Sequence, residues 1–174
     1  MLYLTVMLGF LFFAAVAMTV NEGLWNNMIT LLNIMLAGIL GIFGGVPLGA
    51  LLLAKSGKSE EFTWYFVFAG VWAVFAVSVT VMHLATSGAS SVKMRFLPML
   101  DKVAGPLMGI MVAIMLTSFT AFTLDRVPIK AGEWSYSDAS DWQKQTFAQA
   151  RNPFRVVIKS FAEGEKSDNS FLGK

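Results

Sequence analysis

The stretch Met28–Ala54, which reads MITLLNIMLAGILGIFGGVPLGALLLA, decides the fold of this chain, and it contains no Asp, Glu, Lys or Arg. A membrane-spanning helix needs about 20 mostly apolar residues, because the hydrocarbon core of a bilayer is about 30 Å thick and each helical residue rises about 1.5 Å. Lipid offers the backbone no hydrogen-bond partner, and the stretch lacks the polar–apolar alternation of a barrel strand. It therefore predicts a transmembrane helix.

Three other segments have the same length and apolar character, and a polar tail follows them. Of the 24 charged residues in the chain, 15 lie in residues 125–174. We therefore predict an all-α integral membrane protein, with a four-helix transmembrane domain over residues 1–124 and an extramembrane C-terminal tail over residues 125–174 that contains short amphipathic helices. The predicted spans are residues 2–20, 28–54, 62–84 and 103–124.

The first span also resembles a signal peptide, since Ala15-Val16-Ala17 has the form of a cleavage box. A signal peptide begins with a positively charged region, however, and no Lys or Arg precedes Lys55. We therefore expect the first span to be retained as a transmembrane helix.

The composition excludes several classes of protein. Hydrophobic residues make up 56% of the 174 residues and charged residues only 14%, against about 25% charged in an ordinary soluble domain, so neither a soluble globule nor a disordered chain fits. The chain has no cysteine, which excludes disulfides, thiolate zinc sites and iron–sulfur clusters. A net charge of +2 gives no electrostatic footprint for nucleic acid.

No catalytic motif is recognisable in the sequence. The single histidine, His83, has no nucleophile or acid in a supporting pattern, and no carboxylate pair or phosphate-binding loop is present. We therefore predict a protein that is not an enzyme and that requires no metal and no cofactor.

Small residues recur at helical spacing in the second and fourth spans. In lipid, where apolar surface gives no driving force for association, such residues let helix backbones approach closely, so they predict helix–helix contact faces. A pore or substrate path lined by the same glycines is the alternative reading. The predicted helix-packing residues are Gly38, Gly41, Gly45, Gly49, Gly105, Gly109 and Ala113.

The turn between the first two spans holds Glu22, the only acid among the first 54 residues, next to Gly23. A carboxylate near the start of the second helix would accept from free backbone N–H groups and meet the positive end of the helix dipole. A functional contact with a partner or ion is the alternative, so Glu22 and Gly23 form a possible functional turn.

Two segments interleave basic and apolar residues, as membrane-surface or partner-docking segments do. The first contains Lys93, Arg95 and Phe96, for which an ordinary solvated loop is the alternative. In the tail we predict a short helix from Ser137 or Ser140 to Ala150, a break at Asn152-Pro153, and a second amphipathic piece. The candidate docking residues of the tail are Trp142, Phe154, Ile158 and Phe161.

The layout of residues 1–124 resembles the colicin V production protein family of bacterial inner-membrane proteins. Family members have a short turn of the type Arg-Gly-Phe-x-x-Glu after the first span, and Gly23-Leu24 matches its glycine and following apolar residue. The fourth span of the family opens with Asp/Asn-Arg-x-x-Gly-x-x-x-Gly, which the stretch Asp101–Gly109 closely resembles. At the matching positions this sequence lacks the basic and acidic residues that the family carries around the first turn.

The resemblance implies an inner-membrane protein linked to colicin production or export, biofilm formation and envelope homeostasis. Three functions are compatible with the sequence: a non-enzymatic protein of this kind acting through partners, an accessory subunit of a larger membrane complex, and an oligomeric channel or transporter. The expected partners are the lipid bilayer and other protein chains, as a homo-oligomer or a larger complex, and not nucleic acid. Four spans place both termini on the same side of the membrane. The basic residues near the membrane do not identify that side. Some relatives carry a periplasmic protease after their four spans, which implies that the termini lie in the periplasm.

Overall fold

The computed structural model describes residues 2–91, 98–125 and 139–162, and these residues form helices joined by short turns. Helices α1 to α4 are each long and apolar enough to cross a membrane, which confirms the predicted all-α architecture with four spanning helices. In chain order the elements are α1 (Leu2–Thr19), α2 (Leu24–Ser56), a single 3₁₀ turn (Glu60–Phe62), α3 (Thr63–Ser91), α4 (Pro98–Leu124) and α5 (Asp141–Ala162).

Helix α2 is longer than its apolar stretch. It begins at Leu24, continues through Pro47 and ends at Ser56, and its C-cap residue Gly57 has a φ of 64°, the left-handed conformation that favours glycine at a helix C-terminus. Helix α3 likewise runs past Leu84 to Ser91. Both helices therefore extend beyond the spans that hydropathy alone delimits.

The spanning helices alternate in direction. Helices α2 and α3 form the most extensive contact as an antiparallel hairpin, with Gly49 beside Val67 and Gly41 beside Phe75. Helix α4 runs antiparallel to α1 and parallel to α2. As a result, the start of α4 lies against the turn between α1 and α2, and its end lies near the middle of α2.

The main core lies where α2, α3, α4 and α5 meet, and aromatic rings dominate it. Phe119 of α4 stacks on Phe75 of α3, with ring centroids 4.4 Å apart, and meets Phe154 of α5 edge-on at 5.0 Å. Phe119 and Phe154 are both fully buried. Such ring pairs add about 0.5–1.5 kcal/mol beyond their buried area, so the tail helix belongs to the core of the bundle.

The predicted break at Asn152-Pro153 is wrong, because α5 is one continuous helix from Asp141 to Ala162. Proline removes an intrahelical hydrogen bond and disturbs the preceding turn, which usually ends a helix. Here the backbone N–H of Phe154 donates to the Ser118 hydroxyl of α4 at 2.8 Å in a buried position. A tertiary hydrogen bond therefore carries the helix through the proline, and the tail forms one amphipathic helix instead of two short ones.

Candidate functional site

The two motifs that carry the family resemblance lie side by side in the folded chain. Asp101, at the start of α4, accepts a hydrogen bond from the backbone N–H of Leu24 at 2.7 Å. Gly23 is the N-cap residue of α2 and has no side chain with which to cap it, so the Asp101 carboxylate caps α2 from a neighbouring helix. We call this contact between the 19–27 turn and the start of α4 the junction.

Asn27 is the buried polar centre of the junction, with 1% of its surface exposed. Its side-chain amide donates to the backbone carbonyl of Gly105 at 2.9 Å and to that of Thr19 at 3.0 Å. One side chain thus ties the end of α1, the start of α2 and the first turns of α4 together. Because a buried hydrogen bond is strong and its loss would leave polar groups unpaired, the amide fixes how the turn sits on α4.

Two glycines of α4 allow the turn to approach so closely. A Cβ atom built on Gly105 would lie 3.0 Å from the Glu22 carbonyl oxygen, and one on Gly109 would lie 3.0 Å from the Thr19 carbonyl. The Thr19 hydroxyl is 3.0 Å from the Gly109 carbonyl oxygen and so adds a further contact across the same gap. The Gly-x-x-x-Gly spacing of α4 therefore presents a flat strip of backbone to the turn. Ala113, four residues after Gly109 in α4, is fully buried.

The expected capping role of Glu22 is wrong. Its carboxylate instead accepts a hydrogen bond from the Asn26 side chain at 2.8 Å, while Asp101 holds the free N–H of Leu24. Glu22, Asp101 and Lys102 are all exposed. The outer surface of the junction therefore carries charges of both signs on a backbone that is fixed from inside.

Gly41, Gly45 and Gly49 of α2 face α3, whose atoms fill the space that side chains would occupy. A Cβ atom on Gly45 would lie 2.3 Å from Val71 Cα, and one on Gly49 would lie 2.5 Å from Val67 Cα. A Cβ atom on Gly41 would lie 3.2 Å from Phe75 Cβ. The α3 residue that matches these glycines is Gly70, which the sequence reading missed.

Ala69 and Ala73, the small residues of the third span, are exposed instead. At about 100° per residue, Ala69 lies about 100° and Ala73 about 60° from Gly70 around α3, so both point away from the α2 contact.

Gly38 faces the tail helix. A Cβ atom there would lie 2.6 Å from the Phe154 ring, so this glycine is the floor of a pocket that the ring occupies. The pore reading of the glycine stripe would need open space along α2, and in the described structure this stretch is filled by Phe154 and by α3.

Of the other predicted tail residues, Ile158 is buried beside Phe154, while Trp142 and Phe161 are 57% and 53% exposed. An ion pair between Arg151 and Asp125, the residue after α4, adds a second anchor for α5 that the sequence reading did not identify. Lys93, Arg95 and Phe96 lie outside the described residues, and their interfacial role stays a prediction.

The side chains brought together at the junction are suited to holding backbone and to presenting charge. Among the described residues, no three His, Cys, Asp or Glu side chains lie close enough together to hold a metal ion. The Thr19 and Asn27 side chains are engaged with backbone carbonyls, which are structural contacts. The exposed charged groups of the junction are those of Glu22, Asp101 and Lys102.

A protein-family model described as colicin V production protein matches residues 4–149 of this chain. The match includes both junction motifs and extends past α4 into the first part of α5, further than the resemblance read from the spans. Comparison with curated proteins and with solved structures gives no match.

Proposed function

Since the chain belongs to the colicin V production protein family, we propose that it acts without catalysis in envelope transport and homeostasis of the bacterial inner membrane, through protein partners that bind at the junction. It is a multi-pass bacterial membrane protein with four spanning helices. The partners and the envelope role are the proposal.

The geometry of the junction is the observation that supports this function best. Glu22 and Lys102 project from a surface whose backbone is held by Asp101 and Asn27 from neighbouring helices. Binding by preorganised charges avoids much of the entropic cost of ordering a loop, and paired charges of both signs favour one complementary partner over others. Rigid support under exposed charge is therefore suited to contact with another protein.

A second candidate, an accessory subunit of a larger membrane complex, is favoured by the outer face of α1. This helix packs mainly on α4, and its apolar residues Phe10, Phe13 and Met18 are 76%, 71% and 78% exposed. Lipid tails satisfy such a face, and so does a helix of another subunit. A channel or transporter, the third candidate, would have to form its path between copies of the chain.

Complementation with charge-neutralised variants tests the proposal. The strain lacks its own copy of this protein, and the readouts are colicin V release and resistance of the envelope to detergent. We expect the double variant Glu22→Gln, Lys102→Gln to lose complementation at normal membrane abundance. The matched control Lys58→Gln, Glu61→Gln neutralises the same charges, also exposed, near the opposite end of the hairpin and is expected to complement fully.

Full complementation by the junction variant would refute the role of this surface. Native mass measurement of the detergent-extracted protein separates the candidates further. A constant stoichiometry with several other chains favours the accessory subunit. A closed homo-oligomer that passes solutes after reconstitution in liposomes favours the channel.

For the orientation we propose that both termini face the periplasm, as the family resemblance implies. The enzyme alkaline phosphatase is active only outside the cytoplasm, so a fusion to the C-terminus is expected to be active. A fluorescent protein that matures only in the cytoplasm is expected to stay dark at the same position. The reverse pattern would overturn this orientation.

A further inference from the structure

The basic residues of α5 share one flank of the helix. Because consecutive residues are about 100° apart, Lys144, Arg151, Arg155 and Lys159 fall within an arc of about 80° and along about 22 Å of the helix axis. Asp141 is the only acid in α5, and it lies at the first turn. Within the described ranges, the ion pair with Asp125 engages Arg151 alone of the four. We call these four residues the basic flank.

The anchors of α5 hold the basic flank at the edge of the membrane. Residues 103–124 are uncharged, so Asp125 is the first charged residue after the fourth span and marks the level where hydrocarbon ends. Arg151 pairs with Asp125, and Arg155 follows one helical turn later on the same flank. Arg151 is therefore held at the level of Asp125, and the long Arg155 and Lys159 side chains can extend from the helix toward lipid headgroups.

Helix α5 crosses the C-terminal half of α4, where the Phe154 N–H donates to the Ser118 hydroxyl, and does not continue along one of the spanning helices. Its first half contacts α1, where Phe147 packs in one cluster with Leu4 and Leu8. Its second half reaches α2, where Phe154 covers Gly38. A helix that touches α1, α4 and α2 in turn lies across the bundle, so its basic flank extends across several helices and not along one of them.

We propose that the basic flank of α5 binds the phosphate-bearing headgroups of anionic phospholipids in the leaflet at the C-terminal end of α4. Charge complementarity favours this occupant, since three of the four cations have no acidic partner in the described structure. Trp142 and Val156 are exposed on the same helix, at 57% and 63%, and apolar groups of this kind enter the headgroup–acyl boundary. This inference is independent of the function proposed for the junction.

Native mass measurement of the full chain, released from nanodiscs that contain phosphatidylglycerol or phosphatidylcholine, tests the proposal. The test variant is Lys144→Gln, Arg155→Gln, Lys159→Gln, which keeps Arg151 and its ion pair. The control is Lys55→Gln, Lys58→Gln, which removes two exposed positive charges outside both α5 and the junction. We expect the wild type to retain phosphatidylglycerol in preference to phosphatidylcholine, and the test variant to bind phosphatidylglycerol about tenfold more weakly or worse.

The control is expected to weaken phosphatidylglycerol binding by less than a third of the loss seen in the test variant. The variant Lys144→Arg, Lys159→Arg keeps the charges and is expected to bind as the wild type does. An unchanged melting temperature shows that the test variant is folded; should it unfold, the single variant Arg155→Gln is measured instead and a severalfold loss is expected. Equal phosphatidylglycerol retention by the test variant and the wild type overturns the proposal. So does unchanged lipid retention combined with loss of a bound acidic protein, which would identify the basic flank as a protein-binding surface.

Discussion

The contact between Gly45 and the backbone of α3 predicts that the substitution Gly45→Ala destabilises the bundle. The added Cβ atom would lie 2.3 Å from Val71 Cα and 2.5 Å from Val71 N, whereas ordinary contacts begin near 3.4 Å. Both sides of this contact are backbone, so no change of rotamer relieves it. The hairpin must open by roughly 1 Å, which also loosens the neighbouring contact between Gly49 and Val67.

The change in the free energy of unfolding is the balance of two effects. Overpacking of a well-packed site costs typically about 1–3 kcal/mol. Replacement of a helical glycine by alanine returns about 0.5–1 kcal/mol of helix propensity. The difference between these ranges is about 0–2.5 kcal/mol, and we expect Gly45→Ala to lower the free energy of unfolding by an amount in its upper half, about 1–2.5 kcal/mol, because both sides of the contact are backbone.

The matched control is Gly44→Ala, one residue away on the same helix. Its Cβ atom would lie 3.3 Å from Val74 Cγ1, the end of a side chain, and the position is exposed. It receives the same gain in helix propensity without the backbone clash and is expected to be neutral or slightly stabilising. Unfolding in mixed micelles with rising dodecyl sulfate, followed by far-ultraviolet circular dichroism, measures both variants. Equal stability of the two would refute the close approach of α2 and α3.

Three further predictions concern the anchors between helices. Asp101→Ala removes the cap of α2, so it is expected to cost about 0.5–2 kcal/mol of stability and to speed hydrogen exchange of the Leu24 amide, whereas Asp101→Asn keeps most of the cap. Equal exchange rates in the two variants would contradict the capping role of Asp101. Ser118→Ala leaves the buried N–H of Phe154 without its partner, costs about 1–3 kcal/mol and exposes α5 to trypsin, and an unchanged cleavage rate would count against the anchor. Phe154→Ala empties the pocket above Gly38 and is expected to cost about 3–5 kcal/mol by the same unfolding assay; a loss below 1 kcal/mol would show that α5 is not part of the core.

The four spanning helices could be predicted because hydropathy is a local property. The absence of charge from residues 62–92 and 103–124 is enough to place each segment in hydrocarbon. The helix ends were harder, because they depend on distant residues. Helix α2 begins at Leu24 through a cap from Asp101, 77 positions away in the chain, and no local pattern pairs these two residues.

The junction could be predicted only as two separate motifs. Gly23 and the stretch Asp101–Gly109 each matched the family, but their contact follows from the antiparallel packing of α1 and α4. Glu22 was expected to cap α2 because it is the nearest acid in sequence, and the fold supplies an acid that is nearer in space. The predicted break at Pro153 is wrong for a similar reason. The effect of proline on a helix is local, whereas the Ser118 hydroxyl that offsets it lies in another helix.

The unequal lengths of the spanning helices have a consequence for the surrounding lipid. Helix α1 has 18 residues and α2 has 33, which correspond to about 27 Å and about 50 Å along their axes. A bilayer of uniform thickness cannot match both lengths. Either the bilayer thins beside α1 and thickens beside α2, or α2 tilts. The protein therefore presents unequal hydrophobic lengths to the surrounding lipids, and helix tilt or local adjustment of the bilayer is expected to relieve the mismatch.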